Sequence, residues 1–182
     1  MKRRLVNAIL FFALLSTAAF AQTSSSVVKV TPAISVDKVK QGSTFGVAAA
    51  LDISSGYHIN SNRPTETYLI PTALKVDAPG RGLTVTSPIY PHGELKKFGF
   101  SPKPLSVYEG RVVVKFTAHA APGLAAGSRS IHGKLTVQAC NNEACLAPKT
   151  IDVDFAFQVV SQATPVNPAN ADIFGSGGSK RR

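Results

Sequence analysis

The chain has 182 residues, 44% of them hydrophobic and only 16% charged, with 14 Gly, 12 Pro, two Cys and a formal charge of +10. This composition excludes a multi-pass membrane protein, a collagen-like repeat and a fully disordered chain, because apolar residues are plentiful but come in short runs. It fits one modest domain and disfavours a large enzyme with a separate cofactor domain.

The first residues read as a secretory signal. A basic start (Lys2, Arg3, Arg4) leads into an apolar run over residues 5–15 and a small-residue close at Ala19-Phe20-Ala21. The run is shorter than the roughly 20 residues a spanning helix needs. Residues 1–21 are therefore expected to be a signal peptide cleaved after Ala21, with no cysteine at the cleavage point to accept a lipid. Residues 22–160 are expected to form the folded domain, and residues 161–182, rich in Ser, Gly, Asn and Pro, a disordered polar tail. Within 22–160 stand 14 bases and nine acids, a net charge of +5. Those bases are scattered singly, Lys96-Lys97 excepted, as on solvated strand faces; no nucleic-acid partner is expected.

Along this domain, apolar and polar residues alternate with period two. The pattern is clear at 27–30, 112–116, 134–137 and 151–159, and further short strands are expected at 45–53, 70–76, 83–86 and 105–108. Gly and Pro punctuate the intervals (Gly42, Gly56, Pro64, Pro79-Gly80, Gly93, Gly110, Pro122-Gly123, Gly127), at spacings that suit antiparallel connections. Eight or nine short strands without a long amphipathic helix predict an all-β, two-layer antiparallel sandwich, with a closed barrel as the alternative.

Chemistry is sparse. The chain has no Gly-rich phosphate loop, no G-x-S-x-G elbow and no H-E-x-x-H helix. His58, His92, His119 and His132 lie far apart without ligand spacing, so no metal site is expected. Asp152 and Asp154 share a strand face beside Lys149, the pattern of a solvated sheet surface rather than a hydrolytic pair.

Both cysteines fall in Cys140-Asn-Asn-Glu-Ala-Cys145, with strand-like residues on either side. Asn-Asn-Glu-Ala is turn chemistry, so Cys140 and Cys145 are expected to face each other across a hairpin mouth, where paired Cα atoms lie about 4.5 to 5.5 Å apart. In an exported protein such a pair is able to close. A staple here stabilises by only about 2 kcal/mol in the chain-entropy model, and a core of this size does not need it. At this level the pair stands open to three readings: a structural staple, a redox-active pair, or metal-bound or unpaired thiols. The spacing is not Cys-x-x-Cys at a helix start, so no helix dipole lowers a thiol pKa; such a pair is better suited to being attacked than to attacking.

Four further blocks bear on the choice: Gly56-Tyr-His-Ile-Asn-Ser-Asn-Arg-Pro64, Tyr68-Leu-Ile-Pro-Thr72, Val107-Tyr-Glu-Gly110 and Cys140-x4-Cys145-Leu-x-Pro148. In this order, over most of residues 30–160, they resemble the N-terminal periplasmic domain family of the thiol:disulfide interchange protein DsbD. The resemblance implies an immunoglobulin-like sandwich whose two cysteines, Cys140 and Cys145, take electrons from a thioredoxin-like domain and pass them to periplasmic proteins. It also implies a cap loop over the cysteines, for which Phe98 and Phe100 are the candidates, and a site-lining role for Tyr57, His58 and Asn60. By the same analogy, Cys145 is the sulfur attacked by the partner. The membrane domain and C-terminal thioredoxin-like domain of full-length DsbD have no counterpart in these 182 residues, the acidic residue of the family's cap has no counterpart among Lys96, Lys97 and Lys103, and the cysteine spacing is one residue shorter than in the best-known member.

The resulting expectation is a periplasmic single-domain module for thiol-disulfide exchange, without a prosthetic group. If it counts as an enzyme, it is a thiol-disulfide oxidoreductase. Its donor would be a thioredoxin-like protein or a membrane thiol transporter, and its acceptors periplasmic thiol-disulfide proteins. The competing expectation is a non-catalytic immunoglobulin-like binding module in which the disulfide is structural.

Overall fold

The structure, a computed structural model, describes residues 23–175. The expected signal peptide and cleavage site, and the last seven residues of the expected tail, lie outside the described residues.

Twelve strands among the described residues form three four-stranded sheets. The first sheet has the order β1 (Val28–Ile34), β3 (Thr44–Ile53), β9 (Arg111–Ala120) and β6 (Leu83–Val85), all antiparallel. In the second the order is β2 (Val39–Lys40), β12 (Lys149–Val160), β10 (Gly127–Val137) and β5 (Ala73–Val76). Here only the two-residue β2 runs parallel to its neighbour.

Period-two alternation explains why these two sheets stack. In β12, Val153, Phe155, Phe157 and Val159 are buried while Asp152, Asp154, Ala156 and Gln158 are exposed. The inward rows meet across the layer: Phe45 lies 5.1 Å from Phe157, and Phe116 meets Phe155 edge-on at 5.3 Å between ring centroids. Val47, Leu51, Val114, Ile131 and Leu135 fill the space around them, all but inaccessible to solvent. The chain is thus the expected all-β, immunoglobulin-like antiparallel sandwich.

The third sheet, in the order β11 (Ala139–Cys140), β4 (His58–Asn60), β8 (Leu105–Tyr108) and β7 (Glu94–Lys96), has no strand longer than four residues. Ala139, Ile59 and Tyr108 are paired neighbours on one face and join the main core. Cys140, His58, Asn60 and Val107 therefore share the opposite face, since successive strand residues alternate.

The tail departs from expectation. Residues 161–175 are not a free segment: Asn167 and Asp37 exchange three hydrogen bonds, Ala169 donates its backbone N–H to Ser35, and the Asn170 amide donates to the Ile34 carbonyl. A single helical turn, α1 (Ala171–Phe174), then lays Ile173 and Phe174 on the outer face of the first sheet, over Ala33, Ala48 and Ala50. Composition misleads here because two apolar side chains suffice when the receiving face is built of small residues. Gly46 shows the fit: a Cβ there would stand 2.9 Å from the Phe174 ring.

Candidate functional site

The two cysteines close a disulfide at the end of the hairpin that follows β11, and form an antiparallel bridge pair. Their Cα atoms are 3.9 Å apart, closer than ordinary facing strand residues, because the loop between them is a tight turn. Asn141 makes that turn. Its Oδ1 accepts hydrogen bonds from the backbone N–H groups of Glu143 and Ala144, both at 2.8 Å, while its own N–H donates to the Ala144 carbonyl.

The base of the hairpin is held from the far end of the chain. Ser24, fully buried, donates its hydroxyl to the Ala147 carbonyl at 2.7 Å and accepts from the Ala139 N–H at 2.9 Å. Gln138 holds the other flank, its Oε1 accepting from the Asn60 amide and the Ile70 N–H. Neither Ser24 nor Gln138 announces itself in the sequence, because a serine in a Thr-Ser-Ser-Ser run and a glutamine between strands carry no periodic signal.

The two sulfurs occupy unlike environments. Cys140 is 1% exposed, on the inner side of the hairpin and beside His58 across the ladder. Cys145 is exposed. Solvent thus reaches Cys145 and hardly reaches Cys140.

His58 is itself 2% exposed, and its Nε2 finds no hydrogen-bond partner among the described residues. Burial pushes the imidazole below its ordinary value; the Glu109 carboxylate works against that shift and the Lys96 ammonium with it. Lys96 and Glu109 are joined to each other by a hydrogen bond, which keeps Lys96 protonated above its usual range.

Phe98 and Phe100, on the loop from β7 to β8, lie over this face. The Phe98 ring stacks on His58 at 4.0 Å and 19°, and Phe100 stacks on Phe98 at 5.5 Å and 16°. Phe98 is buried with Leu69, Leu105 and Val107 in a small apolar cluster of its own, whereas Phe100 is 41% exposed.

The remaining candidates divide. Tyr57 is half-buried, packs against the main core and lines an open groove of about 470 Å³ with His58, Glu109 and Asn142. Asn60, on the cysteine face but two residues farther along, is wholly buried; its amide donates to the Ile70 carbonyl and to Gln138, so its visible work is to fasten the 61–72 loop. The structure therefore gathers Cys140, Cys145, His58, Phe98 and Phe100 around one hairpin, with Tyr57 at its rim. His132 lies elsewhere, paired with Asp154 on the exposed face of the second sheet, and His119 bonds Thr44 at the sheet surface.

Among the described residues no cluster of His, Cys, Asp and Glu has the makings of a metal site, and no helix is long and apolar enough to cross a membrane. No curated protein matches the chain. Among solved structures it resembles the DsbD N-terminal domain of Neisseria meningitidis in the reduced form, at 18% identity over 81% of this chain and 94% of that one, with a TM-score of 0.46. It also resembles the N-terminal periplasmic domain of ScsB from Proteus mirabilis, at 11% identity and a TM-score of 0.44, covering 76% of this chain and 49% of that one. The family model described as thiol:disulfide interchange protein DsbD, N-terminal, matches residues 24–156, which take in most of the sandwich, the aromatic loop and the cysteine hairpin, and the chain belongs to that family.

Proposed function

We propose that this chain is a periplasmic electron relay, exported by a signal peptide cleaved after Ala21, in which Cys145 is the sulfur that partners engage and Cys140 the sulfur that leaves and later resolves. The observation that carries the reading is the difference in exposure between the two cysteines. A donor thiolate attacks the Cys145 sulfur, the Cys140–Cys145 bond breaks, and Cys140 departs with the electron pair and takes up a proton. The donor's second thiol then displaces Cys145, leaving the module reduced and the donor oxidised. Transfer onward reverses the order. Cys145 attacks an acceptor disulfide, and Cys140 attacks Cys145 to release the reduced acceptor. The donor is a thioredoxin-like protein or a membrane thiol transporter, and the acceptors are periplasmic thiol-disulfide proteins.

Single-cysteine variants test this. Cys140→Ser, mixed with a thioredoxin-like protein that lacks its resolving cysteine and is presented as an activated mixed disulfide, should give a complex of summed mass that collapses with reductant. Cys145→Ser should give markedly less. If neither variant exceeds an unrelated exposed thiol, the relay reading falls and the disulfide is a staple in a binding module.

A further inference from the structure

We propose that His58 is the proton acceptor for Cys140, and that Phe98 holds the imidazole in the position this requires. The inference rests on the relay reading and concerns the step in which Cys140 must become a nucleophile.

That step is difficult where Cys140 sits. Cys140 is 1% exposed in the disulfide, so a thiol held at that place has little water to take its proton, and burial in apolar surroundings disfavours a thiolate. Exchange nevertheless requires the thiolate. A base must therefore lie on the same face of the sheet. His58 is the direct cross-strand partner of Cys140 in the β4–β11 ladder, and side chains so paired stand about 5 Å apart at Cβ. Its Nε2 is buried and has no partner among the described residues, an uncommon state for a buried polar atom and one that needs a reason. The stacked Phe98 ring covers one side of the imidazole, fixing its plane.

Protons and electrons balance. The Cys140 S–H proton passes to the imidazole, the thiolate forms the new bond to Cys145, and the acceptor's sulfur leaves with the electron pair of the broken mixed disulfide. The imidazolium then passes that proton to the departing acceptor thiolate, which leaves the ring neutral; when the donor reduces the module, Cys140 leaves as a thiolate and draws a proton from water through the same ring. The groups that act on the ring are few. Glu109, at the turn from β8 into β9, favours the imidazolium, and Lys96, at the end of β7, opposes it. Tyr57 lines the same groove, and Phe98 and Phe100 carry no charge. Burial leaves the imidazole neutral near pH 7, the form able to accept a proton.

The experiment uses the reduced protein and a chromogenic aromatic disulfide, which releases one coloured thiolate when Cys145 attacks and a second when Cys140 resolves the adduct. In His58→Gln, the second release at about pH 7 should slow by at least about tenfold, with the first unchanged, and the two rates should converge as pH rises and hydroxide takes the proton in place of the imidazole. A structural role alone would slow both releases and leave the pH profiles parallel. Equal second-release rates in His58→Gln and the parent at about pH 7 overturn the inference while leaving the relay intact. Absence of a second release in the parent protein overturns the relay itself. A measurement on the unmutated chain guards against misfolding of the variant: the His58 ring protons, followed by NMR against pH, should titrate differently in the reduced and oxidised states. Identical curves show that the ring does not sense the Cys140 sulfur and reject the proposal.

Discussion

The sandwich and the small third sheet are built of the same kind of strand but to different ends. The two large sheets bury rows of Val, Leu, Ile and Phe, and most of their polar residues face water. The third sheet turns one face to that core and on the other buries a disulfide sulfur, an imidazole and an amide. Of three buried side-chain polar atoms without a partner among the described residues, two, His58 Nε2 and Asn60 Oδ1, lie on this sheet. The main core lies where the strands are long and regular, and the candidate site where they are short. A site that leaves buried polar groups uncommitted gives up stability locally, and a well-packed neighbour allows it.

That division can be tested by perturbing each part in turn. Phe155 meets Phe116 edge-on and is wholly buried, so Phe155→Ala should lower the unfolding free energy by about 3 to 5 kcal/mol in urea titrations. In the folded baseline its disulfide should still react with small thiols at the parent rate. A changed rate there would show that the core sets the site's reactivity and that the two regions are not separable.

Removing the disulfide is the next largest change. Cys140→Ala with Cys145→Ala opens a loop of only six residues, and the chain-entropy model predicts a loss of about 2 kcal/mol. The far-ultraviolet circular dichroism spectrum should be retained. A largely unfolded variant would return the cysteines to a structural role.

The aromatic loop distinguishes shielding from packing. Phe100 is partly exposed, so Phe100→Ala should change stability by no more than about 0.5 kcal/mol while speeding reduction of the disulfide by a small thiol. Phe98→Ala should do both, since its ring also completes the cluster with Leu69, Leu105 and Val107. Unchanged reduction kinetics in both variants would make the two rings packing residues and nothing more.

The smallest effect is a pH dependence. Burial depresses the folded-state pKa of His58, so below the ordinary value of 6.5 the unfolded chain binds a proton that the native state refuses. The contribution is fully present above about pH 6.5 and is lost as pH falls from there through the depressed folded-state pKa. His58→Gln should flatten that part of the stability profile, as read from urea midpoints at several pH values.

Much of the sandwich is legible in the sequence because β3, β9, β10 and β12 are each ten or more residues long, enough for period-two burial to be visible. The strands that carry the site are not. β4, β7 and β11 have two or three residues each, too few to display any period, and their pairing is decided by the chain around them. The cysteine hairpin is legible because Asn-Asn-Glu-Ala names its own turn. The contrast in exposure between Cys140 and Cys145 is not, since both flank that turn alike and only the third dimension separates them. Docking of residues 161–175 is not legible either, for a related reason: the receiving surface, Gly46, Ala48 and Ala50, is a row of small residues with no pattern of its own until Ile173 and Phe174 are laid upon it.

The hydrogen bonds of Ser24 bear on how the molecule is assembled. Its partners, Ala139 and Ala147, lie 115 and 123 positions farther along the chain. A chain made from its N-terminus cannot form these contacts until nearly all of the domain exists, and contacts of such high sequence separation delay folding. The foot of the cysteine hairpin is thus closed by the two ends of the domain coming together. A tag joined directly ahead of Thr23 would crowd that same foot, so a fusion partner belongs at the other terminus or behind a flexible spacer.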